Sequence, residues 1–215
     1  MSDSPFASWL LPEVASEHDD MNRKYFEDGT VGTYPYFYKL KEVVNSILNA
    51  ESRSLSCLDV GCGAGWQAKY LESVGLAGKQ GLLYEGLDIS PHMCDLARRN
   101  FPAGTFHVGD VLDFVPGRTW DLVMACGSME HFTDWKGFLA KMTELSSRWV
   151  VLHKVFFTDA NAPTWVFRRT MYQGIEETRV VMNYSEFTAA MNALGFMVEK
   201  RYDWPGVSGA ITRRK

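Results

Sequence analysis

The residues best placed to do chemistry are the run Leu58-Asp59-Val60-Gly61-Cys62-Gly63-Ala64-Gly65. Its three alternating glycines lie between an apolar run and an amphipathic one, where a strand ends and a helix begins. Lacking Cβ atoms, such glycines let the chain turn sharply and bring its backbone close to a ligand. The dinucleotide fingerprint GxGxxG fails here. Gly61 and Gly63 fit, but Trp66 occupies the third place, where its bulk conflicts with the close helix packing a glycine permits. Asp88 ends a second short apolar run, and Asp110 follows a third. His131 follows a fourth, and its imidazole titrates in the range useful for proton transfer. Cys57, Cys62, Cys94 and Cys126 form no CxxC pair and have no histidine at metal-ligand spacing. They read as reduced core residues, and no metal is expected.

The elements that must position these groups follow from the spacing of apolar residues. Short apolar runs over 55–60, 82–88, 105–108, 120–126 and 149–157 alternate with amphipathic stretches, which predicts a parallel sheet covered on both faces. Ser90-Pro91 opens one helix, with Ser at the cap and Pro at the first helical position. Asp134 caps another. Asn183 followed by Glu186 forms a capping box for a helix that stops at Gly195. Residues 196–204 and 207–213 read as strands around a Pro205-Gly206 turn. The fold class is therefore α/β: a doubly wound, Rossmann-like, seven-stranded, mostly parallel sheet ending in an antiparallel C-terminal hairpin.

One domain is expected from 215 residues. Residues 1–40 read as an irregular, aromatic-rich cap or lid, followed by a helix over 38–49. Residues 55–157 form the ligand-binding core, and 184–215 the last helix and hairpin. The connection 158–183 is long for a compact domain, so it is expected to be a lid over the site or to carry short helices. The charge of −4 gives no electrostatic case for nucleic-acid binding. No apolar run is long enough to span a membrane. Met1-Ser2-Asp3-Ser4 lacks the charged and apolar regions of a secretory signal, so a cytoplasmic protein, monomer or homodimer, is expected.

The pattern D-x-G-x-G-x-G over Asp59–Gly65 resembles motif I of class I S-adenosylmethionine-dependent methyltransferases. Four later segments, in order, extend the resemblance. They are Gly86-Leu87-Asp88-Ile89-Ser90-Pro91, then His107-Val108-Gly109-Asp110-Val111, then Asp121-Leu122-Val123 through Met129-Glu130-His131-Phe132, and last Tyr184–Phe196. Together they cover roughly residues 38–213. Two departures stand out: a long loop before Asp88, which makes Glu85 a rival to it, and Ser146-Ser147-Arg148 in place of a glycine-rich turn, expected to alter only a surface loop.

The resemblance implies S-adenosylmethionine as cofactor and a set of residues to hold it. Asp88, with Ile89 beside it, would accept hydrogen bonds from the ribose hydroxyls, since a carboxylate offers two acceptor oxygens. Asp110 would take the adenine amino group and the Val111 amide a ring nitrogen. Asp59 would place negative charge near the ammonium and fix the turn. Gly61, Gly63 and Gly65, with Cys126 and Gly127, would surround the methionine portion. His131 is the candidate base for an acceptor that must lose a proton. His153 reads either as a core histidine or as a pocket residue. Acceptor walls are expected from the aromatic N-terminus and the 158–183 connection. Tyr36, Trp165 and Arg168 are named first, and Tyr34, Tyr38, Phe167, Arg169 and Tyr172 fall in the same segments. The expected activity is methyl transfer to an oxygen or nitrogen of a small molecule. The same motifs would also serve a cofactor-binding sensor or partner subunit without transfer activity.

Overall fold

The computed structural model describes residues 6–159, 161–170 and 176–215. Its centre is a seven-stranded sheet in the order β3-β2-β1-β4-β5-β10-β9. The strands are β1 (Leu55–Val60), β2 (Leu82–Asp88), β3 (Thr105–Val108), β4 (Trp120–Cys126), β5 (Ser146–His153), β9 (Phe196–Trp204) and β10 (Val207–Arg214). The first five run parallel, and β10 lies antiparallel between β5 and β9. The expected fold class is thus borne out, hairpin included.

Side chains alternate across the sheet with a period of two, and each face finds its own helices. Leu55, Cys57, Leu122, Met124 and Val151 face α2 (Pro35–Glu51), α3 (Trp66–Ser73) and α4 (Pro91–Asn100). Leu58, Val60, Val123, Ala125, Val150 and Leu152 face α5 (Trp135–Leu145) and α6 (Tyr184–Ala193). Each of the leucine, valine and methionine side chains among these contributes about 1.5–3 kcal/mol by burial. All four cysteines are buried and free. The caps are as expected: Ser90, Asp134 and Asn183 accept from the amides of Met93, Gly137 and Glu186.

Three regions differ from expectation. The N-terminal cap is helical, with α1 over Pro12–Glu27, and α2 starts at Pro35, not at residue 38. Both prolines occupy the first helical turn, where the missing N–H costs nothing. The connection after β5 folds as strands: β6 (Phe156–Thr158), β7 (Trp165–Thr170) and β8 (Glu176–Asn183) form a second sheet in the order β6-β8-β7. Strand 5 itself stops at His153, because Lys154 adopts a left-handed φ of 58°. Finally, no loop separates α5 from β5. Ser146 is buried, its hydroxyl donating to the Trp149 carbonyl (2.8 Å) and accepting from the Arg148 amide (3.2 Å). A side chain does there what a glycine turn was expected to do.

Candidate active site

A cavity of about 340 Å³ opens along the carboxyl ends of the parallel strands. Its middle lies beside β1 and β4, where the strand order reverses, the position at which open α/β sheets take their ligands. α1 closes it from above with His18, Met21, Asn22 and Tyr25.

The glycine turn forms one wall. Gly61, Gly63 and Gly65 all have positive φ, a conformation other residues rarely adopt. A Cβ on Gly61 would overlap the Ser128 side chain, whose hydroxyl donates to the Val60 carbonyl at 2.6 Å. The turn is held by Asp88 at the β2 tip: Oδ2 accepts from the Gly63 amide and Oδ1 from the Ser90 amide, both at 2.9 Å. Burial raises the Asp88 carboxyl above its ordinary range, against those two amides. Asp88 lines the cavity, and each of its oxygens retains further acceptor capacity. Asp110 also lines the cavity, while its Oδ1 caps the following turn at the Leu112 amide (2.9 Å).

The far wall is built by β4, β5 and the second sheet. His131 is 11% exposed, and its Nδ1 lies 3.2 Å from the Thr178 carbonyl. Burial lowers it to about 4, the Thr178 and Gly127 carbonyls opposing and the charges of Lys154 and Arg169 assisting. The ring is therefore neutral at pH 7. Arg179 is buried, donates to Glu177 Oε1 at 2.7 Å and contacts Glu130, which is fully buried. Arg169 meets the same Glu177 oxygen. The aliphatic stem of Lys154 lies across Gly127. Burial pulls its pKa down, and no carboxylate lies within ion-pair distance of its Nζ among the described residues.

Most of the residues singled out from the sequence do meet here. Gly61, Gly63, Asp88, Ile89, Asp110, Val111, Cys126, Gly127, His131 and Tyr36 all line the cavity. Four do not. Asp59 is fully buried behind the turn, where it accepts from the Tyr84 hydroxyl (2.5 Å); burial raises it to about 7, so it carries only partial charge at neutral pH. Gly65 faces α4, and a Cβ there would sit 3.1 Å from Ala97. Trp165 is exposed and stacks on Phe167, and Arg168 is exposed too. Arg169, one residue along β7, turns to the cavity instead, as strand alternation requires. Tyr172 lies outside the described residues. Glu85 pairs with His107 (3.0 Å) and Arg118, away from the cavity. His153 belongs to the core: fully buried, it donates to the Tyr36 carbonyl (2.9 Å) and accepts from the Tyr202 hydroxyl (2.7 Å).

The sequence reading missed His18, Asn22, Lys154 and Arg179. For α1, the signal was Pro12 at the head of an amphipathic stretch. The helix is pinned by Asp19, which accepts from the Trp66 indole N–H at 2.9 Å and from Asn100 at 2.8 Å. Trp66, the residue that breaks the dinucleotide fingerprint, is thus the anchor of the cap. Tyr36 is fixed as well, donating to the Cys126 carbonyl (3.1 Å) and accepting from Gln67 (2.6 Å).

Comparison with known proteins gives this geometry a context. A family model described as a methyltransferase domain matches residues 34–201. The chain is 38% identical over 72 residues to a dTDP-3-amino-3,6-dideoxy-alpha-D-glucopyranose N,N-dimethyltransferase of Streptomyces fradiae, covering 33% of this chain and 26% of that protein. It is 32% identical over 108 residues to a probable chloroplastic tocopherol O-methyltransferase of rice, Oryza sativa subsp. japonica, covering 46% and 28%. These matches thus span little more than a quarter of either relative's length. Among solved structures, an S-adenosylmethionine-bound amino pentose methyltransferase from Micromonospora echinaspora superposes with a TM-score of 0.65 at 19% identity, covering 88% of this chain and 96% of that one. At that identity the likeness is one of fold. No helix among the described residues is long and apolar enough to cross a membrane.

Proposed function

The chain belongs to the class I S-adenosylmethionine-dependent methyltransferases, and from that premise we propose that it moves a methyl group from S-adenosylmethionine to an oxygen or nitrogen of a small molecule. The observation that carries this reading is Asp88. A desolvated carboxylate at a strand tip, lining the cavity with acceptor capacity left on both oxygens, fits a ribose diol. The rest of that wall suits the same ligand. Asp110 and the Val111 amide suit the adenine edge, Ile89 its apolar face, and Gly61, Gly63, Cys126 and Gly127 the methionine portion. When bound, the cofactor supplies a methyl carbon already activated by its sulfonium.

The protein's own part is then chiefly alignment. α1 and the second sheet exclude water, and Tyr36 holds the β4 tip in place. His131, neutral at pH 7, is the group we assign to take a proton from a hydroxyl acceptor. An amine would attack through its lone pair and need less of it. The relatives act on both kinds of atom by their names, one an N,N-dimethyltransferase and one an O-methyltransferase. The free, buried cysteines suit a reducing cytoplasm.

The test is turnover. The purified chain is incubated with S-adenosylmethionine and a panel of phenols, amines, sugars and carboxylic acids, and the demethylated cofactor is measured. Product that depends on the presence of an acceptor supports transfer. Tight cofactor binding with no turnover across the panel would favour the sensor or partner-subunit reading.

A further inference from the structure

Charge is unevenly spread along the cavity. The wall at β2 and β3 carries the acids Asp88 and Asp110. The wall at β4, β5 and the second sheet carries three cations, Lys154, Arg169 and Arg179, and among the described residues two carboxylates, Glu177 and Glu130, pair with the arginines. Arg179 pairs with Glu177 through Nε and with Glu130 through a terminal nitrogen. Arg169 spends its Nε on Glu177, and its two terminal nitrogens have no further partner among the described residues. Among the described residues no carboxylate lies within ion-pair distance of Lys154; Glu177 attracts it from further off, its Nζ sits 5.8 Å from the centroid of the Tyr36 ring, and its charge is felt at His18 and His131. A desolvated amine is costly without a direct counter-ion, and at Lys154 the distant attraction of Glu177 is opposed by Arg169. The backbone at Lys154 is held at a φ of 58°, which a lysine adopts only under constraint from its surroundings. That conformation lays the side chain over Gly127, at the β4 tip.

We propose that the methyl acceptor carries an oxyanion group, a carboxylate or phosphate, and that Lys154 and Arg169 hold it at the β4–β5 end of the cavity. The inference rests on the methyltransferase reading and deepens it, because it names the chemical class of the acceptor. One anion there gives the lysine a direct counter-ion and occupies the free fork of the arginine, whose planar donors match two oxygens. It also fixes the orientation of the acceptor relative to His131 without using the base itself. A neutral acceptor of the same shape leaves the buried Lys154 ammonium without a direct counter-ion, so it is rejected more strongly than its missing contacts alone imply; Arg169, half-exposed and already paired with Glu177, adds less.

The experiment uses the full chain loaded with S-adenosylhomocysteine. Calorimetry first gives the affinity of that product for wild type, Lys154→Met, Lys154→Arg and Arg169→Gln. Each loaded protein is then titrated with benzoate, phenyl phosphate and neutral benzamide. Expected are product affinities within about twofold of wild type for all variants, and binding of at least one oxyanion but not of benzamide. That oxyanion binding should weaken tenfold or more in Lys154→Met and severalfold in Arg169→Gln, and recover in part in Lys154→Arg. Whether benzoate or phenyl phosphate binds better decides between carboxylate and phosphate. The proposal is overturned if benzamide binds as well as the oxyanions, if neither oxyanion binds, or if their binding survives Lys154→Met. It is equally overturned if product affinity falls in Lys154→Met, for the lysine would then serve the cofactor's own carboxylate. Failure of wild type to bind S-adenosylhomocysteine would sink the methyltransferase reading and this inference with it; product binding without oxyanion binding sinks this inference alone.

Discussion

The two ends of the cavity are built in different ways. The end at β1, β2 and β3 is made of turns: Gly61–Gly65, Asp88–Ser90 and Asp110–Leu112 each carry their ligand-facing groups within a few consecutive residues. Their hydrogen bonds are short-range or join neighbouring strands, as where Asp88 accepts from Gly63 and Ser90. The end at β4 and β5 is assembled from distant segments. His131 meets Thr178, Glu130 meets Arg179, and Tyr36 reaches Cys126 across 90 residues of chain. A turn is specified by the residues in it. An assembled wall is specified by the register of the strands that bring it together.

That contrast can be broken by experiment. The largest effect is expected at the turn. Gly63→Val places a branched side chain at a φ of 52°, with His18 at 3.6 Å from its Cβ, in space we assign to the cofactor. Loss of measurable S-adenosylhomocysteine binding is expected, with a circular dichroism spectrum like that of wild type. Retained binding would mean that the turn is not the contact.

At the assembled end, His131→Ala should lower the rate about 10²–10⁴-fold if the acceptor is a hydroxyl, with cofactor affinity little changed. The pH dependence sharpens this. Burial lowers His131 to about 4, so its basic form persists from neutral pH down to that value. The acid limb of kcat/KM that it causes should therefore lie near pH 4, and His131→Ala should remove it. A limb near 6.5 would place the proton on an ordinary, solvated histidine. Loss of cofactor binding in His131→Ala would make its role structural.

The smallest effect separates neighbours in one strand. Trp165→Ala and Arg168→Ala, both at exposed positions on β7 though on opposite faces of it, should leave acceptor KM and kcat within about twofold of wild type, as surface changes usually do. A clear rise in KM would return these residues to the acceptor wall.

The sequence made the turn-built end legible because its chemistry lies in consecutive residues. Gly61, Gly63, Asp88, Ile89, Asp110 and Val111 could be named because short runs of consecutive residues carry the resemblance to the family's motifs, and all six line the cavity. Asp59 and Gly65 belong to the same pattern yet line nothing: one is buried behind the turn and the other packs on Ala97. A motif therefore mixes residues that shape a loop with residues that face a ligand. The assembled end was legible only as a list of segments. A one-residue shift along β7 separates Arg168 from Arg169, and nothing local sets that phase. Lys154 read as part of a continuous strand, because an αL lysine leaves no mark in composition. α1 was hidden by the reading of residues 1–40 as irregular, although Pro12 and Pro35 in that stretch both open helices.

The central claim is that the turn-built end holds S-adenosylmethionine through Asp88. Calorimetric titration of S-adenosylhomocysteine into wild type and Asp88→Ala tests it most directly. Loss of two charge-assisted hydrogen bonds should weaken binding by about 1.5–3 kcal/mol, roughly 10- to 150-fold. Unchanged affinity in a folded Asp88→Ala protein would contradict the assignment.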